Sequence, residues 1–337
     1  MHRLCPDRGC RIGIDARSLS VGPSGISTYV SSLLDHIAYL DPLSAIQPRN
    51  NFLWNQVRAP LAFRRRGWSA YHAPSYTAPL IGCRPLVLTA HDVSYLANSD
   101  WYPYPLDSFR LWYYRVSLLR ADRIIVPSEF TRAELVRLCP SVKGRVRTIR
   151  LGVADCFFPD PEKAEEVRSA LSLPREFLLH VGDIHARRNI PLLVDVAKQV
   201  GLPLVLVGRP LRGGEQFGKW KLLFTGLTLD QLRGIYSAAT VFVYPSLHEG
   251  FGLPLLEAMA CGIPVVAARR SCLPEVCGDA GVLVEPDVES LCEGVERARS
   301  ERDRLRAAGL ARAAQFSWEK TARETEEVYR EVTTLQC

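Results

Sequence analysis

Two carboxylates, Glu249 and Glu257, stand eight residues apart in the stretch SLHEGFGLPLLEAMACGIPVV (246–266), with two glycines and a proline between them. Gly250 and Gly252 carry no side chain, so backbone N–H groups there can approach a ligand closely. Pro254 suits the first turn of a helix, where its missing N–H costs nothing. A glycine turn running into a helix N-terminus makes a site for an anion such as a phosphate. Glu257, about one turn into that helix, is placed to accept hydrogen bonds from the hydroxyls of a ribose on the same phosphate. Glu249, before the turn, points to a different spot, near the group that reacts. The two need not form a catalytic pair, since one can hold a nucleoside while the other handles the transferred group. The plainer alternative is a cap residue and a solvated helix residue. The turn is not a dinucleotide fingerprint: a G-x-G-x-x-G motif needs a third glycine where Leu255 stands.

The elements that must position this loop read as two β/α series. RIGIDA (11–16) is a short buried strand, followed by a Gly/Ser/Pro loop and a helical stripe of Tyr29, Leu33, Ile37 and Leu40. Residues 41–66 are weakly patterned and carry no assignment. Strands follow at 69–74, 85–92, 122–128 and 144–153, and 154–166 has the prolines and charges of a linker. The second series has strands at 176–183, 202–208, 222–226, 240–246 and 263–268, with helical stretches between them. Strand, loop and helix in alternation predict a parallel sheet with ligands at the carboxyl ends of its strands. The expected organisation is therefore α/β with two Rossmann-like domains facing across a central cleft. They span residues 1–155 and 156–316, and an amphipathic C-terminal helix (317–337) packs back on the first.

Composition narrows the class. With 47% hydrophobic and 23% charged residues over 337 positions the chain is an ordinary globular protein, long enough for two cores. No apolar run is long enough to span a membrane, and the start lacks a signal-peptide core, so a cytoplasmic protein is expected, peripheral at most to the inner membrane face. Ten cysteines include pairs five apart (Cys5 and Cys10, Cys272 and Cys277) but no C-x-x-C, which favours reduced thiols over a metal site or disulfides. Residues 1–155 hold 20 Lys/Arg against 11 Asp/Glu, while 156–337 hold 22 against 25. A basic first half points to an anionic partner or an anionic membrane surface, or to a solvated arginine-rich face. No nucleic-acid reader accompanies the charge.

With these residues in view the chain resembles the retaining GT-B glycosyltransferases of the mannosyltransferase-like family 4 group. HEGFGLPLLEAMACGIPVVA is similar to that family's E-x7-E motif, and SCLPEVCGDAGVLVEP continues it. HVGDIHARRNIPLLV, FTGLT, LRGIYSAATVFVYPS and FSWEKTA match in order, and IGIDARSLS, SGISTY, HDVSYL and ADRIIVPSEFTRAEL resemble the family's acceptor domain.

The resemblance implies that Glu257 holds the donor ribose, that the backbone of Gly250, Phe251, Gly252 and Leu253 lies against the sugar and distal phosphate, and that Glu249 contacts the transferred sugar. Arg187 and Arg188 fall where the family usually has Arg-Lys, so Arg188 takes the lysine's place on the diphosphate with a planar fork instead of a point charge. Gly25 approaches the donor phosphates or the acceptor, and His91 matches the family's active-site histidine.

The implied activity is a retaining hexosyltransferase of polysaccharide biosynthesis. It uses a nucleotide-sugar co-substrate, GDP-mannose or a UDP-sugar, and no resident cofactor or metal. The acceptor is a glycan, a lipid-linked or a small-molecule hydroxyl. FRLWYYRVSLLRAD (109–122), with aromatics among arginines, can be a helix lying on an anionic bilayer or a core helix with a few exposed arginines. A non-catalytic nucleotide-sugar-binding subunit, or a GT-B-like epimerase or phosphorylase, is the alternative. A phosphorylase needs a pyridoxal-bearing lysine, for which Lys163, Lys198, Lys219, Lys221 and Lys320 have no convincing setting.

Overall fold

The computed structural model describes residues 11–22, 24–43, 51–98, 101, 107–209 and 221–334. Cys5 and Cys10 lie outside them, and the seven described cysteines are all free. The described chain divides into two compact units: residues up to Gly152 with those from Trp318 onward, and Val153–Ser317.

The first unit begins with β1 (Ile12–Asp15), α1 (Gly25–His36) and β2 (Leu40–Leu43). The helix ends earlier than its apolar stripe predicts, and Leu40 instead opens β2. Pro42 is tolerated there because β2 is the edge strand, paired only to β1 among the described residues. The unassigned stretch contains a continuous helical run: α2 (Asn51–Leu53), a π-helical turn (Trp54–Arg58) and α3 (Ala59–Arg66), ended by Gly67 in the left-handed region. Then come β3 (Ala70–Ala73), β4 (Leu86–Thr89), α4 (Ser94–Ala97), α5 (Asp107–Arg120), β5 (Arg123–Val126), α6 (Glu129–Leu138) and β6 (Val146–Thr148), the last much shorter than the strand predicted over 144–153. All pairings are parallel in the order β2-β1-β3-β4-β5-β6.

The second unit opens with α7 (Pro161–Ala170), in the stretch whose prolines and charges predict a linker. Asp160 caps it by accepting from the Lys163 N–H (2.9 Å), and Pro161 occupies its first turn. It continues through β7 (Leu178–Val181), a 3₁₀ turn (Ala186–Arg188), α8 (Ile190–Val200), β8 (Leu204–Val207), β9 (Lys221–Phe224), α9 (Leu229–Ala238), β10 (Val241–Tyr244), α10 (Leu253–Ala260), β11 (Val265–Ala268), α11 (Leu273–Cys277), β12 (Val282–Val284), α12 (Val288–Ser300) and α13 (Arg302–Ala313). This sheet is also wholly parallel, ordered β12-β11-β10-β7-β8-β9. Its four central strands, β7, β8, β10 and β11, are buried on both faces, as a parallel sheet between helix layers requires. Ile190, Leu193 and Ala197 of α8 and Leu291, Val295 and Ala298 of α12 pack with Leu204, Leu206, Val241 and Val243 in one core.

The final helix, α14 (Trp318–Thr334), belongs to the first unit. Its Tyr329 hydroxyl lies 2.6 Å from His72 Nδ1, whose Nε2 lies 2.8 Å from Thr89 Oγ1, itself 3.0 Å from the Tyr29 hydroxyl. Burial holds His72 down to a pKa of about 3, with His91 adding to the effect, so this inner chain of hydrogen bonds stays neutral. Glu331 pairs with Arg123 (3.0 Å) and Arg147 (2.5 Å) beside it.

Candidate functional site

In the second sheet the chain builds β7, β8 and β9 outward on one side, then returns to lay β10 on the other side of β7. The loops leaving the carboxyl ends of β7 and β10 therefore diverge at a topological switch point, where open parallel sheets bind ligands. Arg187 and Arg188 arrive from the first loop; Tyr244, Ser246 and Glu249 come from the second.

These residues meet. Arg188 hydrogen-bonds through Nη1 to the Tyr244 hydroxyl and forms an ion pair with the Glu249 carboxylate. Ser246 Oγ lies 3.5 Å from the same nitrogen, and the guanidinium carbon stands 5.2 Å from the Tyr244 ring centroid. Arg187 flanks the group, with Nη1 3.7 Å from Glu249 Oε2 and 3.2 Å from the His248 carbonyl. Its own carbonyl accepts from the Leu247 N–H (2.8 Å), which ties the two loops together. The Glu249 N–H donates to Ser271 Oγ (3.0 Å). Glu249 is buried, so its charge depends on these two cations. Gly182 makes room for the arrangement: its φ is +142°, and an added Cβ would sit 3.4 Å from the Arg188 guanidinium carbon.

Below Arg188, Tyr244 stacks on His180 (5.5 Å, 27°). Burial first, and Arg188 second, lower the His180 pKa to about 3, so the ring adds no charge. A neutral aromatic floor thus lies under the cation.

The glycine turn enters α10 as expected. Gly252 is its N-cap with φ +92°, no side chain caps the helix, and Pro254 lies in the first turn. A Cβ on Gly252 would come within 3.1 Å of Leu273 Cδ2. Phe251 is buried, with its ring set edge-on to Phe316 at 5.9 Å. The N-terminus of α10 thus has no side-chain cap, the setting in which helix ends bind anions. Glu257, one turn on and half-buried, accepts a hydrogen bond from the Tyr236 hydroxyl (2.8 Å). Burial raises its pKa to about 7, against the lowering effect of that bond. The structure therefore gathers Arg187, Arg188, Glu249 and the glycine turn at one set of strand ends, with Glu257 behind the turn.

Gly25 and His91 belong to the first unit. Gly25 is exposed and begins α1, whose N-cap Ser24 forms a capping box with Ser27. His91 follows β4. Its Nε2 lies 3.1 Å from the Pro74 carbonyl, which can only accept, so that nitrogen carries the proton and Nδ1 is the acceptor. Burial lowers its pKa to about 4, and the ring sets edge-on to Tyr29 at 4.9 Å. Asp92 anchors the loop by accepting from the Ser94 N–H (3.0 Å) and hydroxyl (2.7 Å).

Sequence reasoning misses Tyr244, Ser246, Tyr236 and Ser271. Tyr244 and Tyr236 sit at apolar positions of a strand and a helix, where periodicity marks them as core. Only the polar tip of a tyrosine so close to a strand end signals more.

Residues 15–155 match the family described as Glycosyltransferase Family 4, and residues 175–301 match Glycosyl transferases group 1. The O-antigen chain mannosyltransferase B of Escherichia coli is 32% identical over 79% of this chain and 77% of its own length. Two solved structures share the fold. Sucrose-phosphate synthase from Thermosynechococcus elongatus has a TM-score of 0.77 and 22% identity, over 97% of this chain and all of that one. Anabaena HepE in complex with UDP-glucose has a TM-score of 0.78 and 16% identity, over 95% and 99%. The fold is that of the GT-B glycosyltransferases. The chain belongs to the glycosyltransferases, with a family 4 region followed by a group 1 region.

Proposed function

We propose that this glycosyltransferase moves a hexose, with retention, from a nucleoside diphosphate sugar to a hydroxyl of a glycan, lipid-linked or small-molecule acceptor, without a metal ion. The observation that carries the reading is the convergence of Arg188, Glu249 and the N-terminus of α10 at the switch point of the second sheet. GDP-mannose is the first donor to try because a relative is a mannosyltransferase, and a UDP-sugar the second because HepE is seen with UDP-glucose.

Breaking the donor's glycosidic bond builds negative charge on the diphosphate and oxocarbenium character on the sugar. Arg188 and the α10 N-terminus answer the first charge, with Arg187 beside them, and such preorganised stabilisation is usually the largest catalytic term. They take the part a divalent cation plays elsewhere. The backbone of Gly250, Phe251, Gly252 and Leu253 lines the sugar and distal phosphate, and Glu257 accepts from the ribose hydroxyls. Glu249 is paired with Arg188. Donor phosphates take its place there, and the released carboxylate turns to the hydroxyls of the transferred sugar. Retention follows if the acceptor attacks from the leaving-group face and the departing phosphate takes its proton, so no side chain is named as nucleophile. His91, neutral at pH 7, orients a sugar or acceptor hydroxyl through Nδ1, and Gly25 lies on the acceptor side.

The test is donor turnover with EDTA present, followed by NMR of the new anomeric centre. An α-linked product from an α-linked donor, at an unchanged rate, is expected. Inversion, or loss of rate with EDTA, overturns the mechanism. A tight donor complex that never turns over with any acceptor leaves a binding subunit instead.

A further inference from the structure

The helical run 51–66, invisible as a pattern in the sequence, has one buried face and one open face that is also apolar. Trp54, Asn55 and Ala59 are buried. Asn55 donates to the Tyr113 hydroxyl of α5 (2.8 Å), and Phe52 packs edge-on against Phe109 (5.4 Å) and Tyr113 (5.2 Å) of that helix. The run and α5 are therefore neighbours. Every fourth residue of the opposite face is apolar and open: Leu53 is 57% exposed, Val57 57% and Leu61 44%. On α5 the next exposed apolar groups are Phe109 (42%) and Trp112 (48%), whose rings lie 5.7 Å apart. Phe52 and Phe109 bring the two helices side by side, and each helix carries exposed apolar groups.

The charge around this face is mostly basic. Residues 51–66 hold four arginines and no acid, and α5 holds three arginines and one acid, Asp107 at its start. Arg58, Arg64, Arg65, Arg110 and Arg115 are exposed. Arg66 is paired with Asp41 (2.6 Å), while Arg58, Arg64, Arg65 and Arg115 give the open face its basic charge. A bilayer with anionic headgroups offers what the face lacks: negative charge for the arginines and an acyl boundary for Leu53, Val57, Leu61, Phe109 and Trp112. Tryptophan is favoured at that depth because its ring is apolar and its N–H polar. Among the described residues no helix is long and apolar enough to cross a membrane, so such contact is peripheral.

We propose that the exposed faces of the 51–66 helical run and of α5 together form a docking surface for an anionic lipid bilayer. The surface lies wholly within the first unit and does not depend on the donor assigned above. It would place that unit where a lipid-linked acceptor is found.

The test is sedimentation of the full chain, free of nucleotide, with phosphatidylcholine vesicles containing a quarter phosphatidylglycerol, against pure phosphatidylcholine vesicles. Two variants are compared, Val57→Asp/Leu61→Asp and Arg64→Gln/Arg65→Gln. All four positions are exposed, so the fold is expected to stand, and an unchanged melting temperature checks it. Binding to the anionic vesicles only, weakened by salt, by about fivefold per arginine removed, and by tenfold or more in the aspartate variant, supports the surface. Equal binding to both vesicle types, no binding at low salt, or variants that sediment like the parent overturn it. So does a parent dimer in gel filtration that either variant dissociates, because the face would then be covered by a second copy.

Discussion

Each sheet carries an arginine–carboxylate pair at its switch point, and the two pairs are built differently. In the first unit, where β1 lies between β2 and β3, Arg17 grips Asp15 with Nε at 2.9 Å and Nη2 at 2.6 Å. Arg17 also donates to Asn55 (2.9 Å), and its guanidinium carbon stands 3.9 Å from the Trp54 ring centroid. Asn55 passes the network on to Tyr113. In the second unit Arg188 and Glu249 are joined across two diverging loops, beside an uncapped helix N-terminus. The first pair is locked by neutral groups of its own unit. The second is held across two loops, and under the proposed function a diphosphate takes the carboxylate's place on Arg188. The same two charged groups then form a structural clasp in one sheet and, as proposed, a ligand site in the other.

The contrast breaks first at Asp15. Asp15→Ala should strand a partly buried guanidinium and cost about 3 kcal/mol, lowering the melting temperature by roughly 5–10 °C. A melting curve that barely moves would mean the clasp is not structural. Glu249→Gln should do the reverse. Melting falls less than for Asp15→Ala because the glutamine oxygen still accepts from Arg188, transfer falls by about 100-fold, and the bare nucleoside diphosphate binds several-fold tighter by calorimetry because its charged competitor for Arg188 is gone. Weaker diphosphate binding would deny the exchange. Tyr244→Phe keeps the ring and deletes one hydrogen bond to a cation, worth about 1.5–3 kcal/mol. Roughly 10- to 100-fold should be lost from kcat/KM at unchanged melting, and a loss confined to stability would make Tyr244 only a core residue.

The smallest effect concerns Glu257. Its folded pKa of about 7 stands above the ordinary 4.5, so its favourable contribution to the fold is complete below pH 4.5 and is lost as pH rises through about 7. The parent's melting temperature, relative to Glu257→Gln, should fall between pH 5 and 8. A flat difference would mean the carboxyl titrates normally.

The second unit is far more legible in the sequence than the first. Its parallel strands are short apolar runs, two of them followed directly by glycine (Gly182 and Gly208), and the residue types of the glycine turn with Glu249 and Glu257 are enough to suggest an anion site. What stays hidden there is long-range: no spacing rule brings Arg188 to Tyr244, 56 residues away. In the first unit β2 escapes notice because Asp41 and Pro42 break strand alternation at an edge where the sheet tolerates them. The 51–66 run escapes because its exposed face is as apolar as its buried one, which erases the period that betrays a helix. The prolines before α7 suggest a linker, although Asp160 and Pro161 are helix start signals.

The most direct test of the central claim is thermal stability with GDP, UDP, ADP and TDP, each at about 1 mM, for the parent and for Arg188→Ala/Glu257→Gln. A ligand at a hundred times its dissociation constant adds roughly 2.7 kcal/mol, a shift of several degrees. One base is expected to shift the parent and none the double variant; an equal shift in both would place the nucleotide away from Arg188 and Glu257.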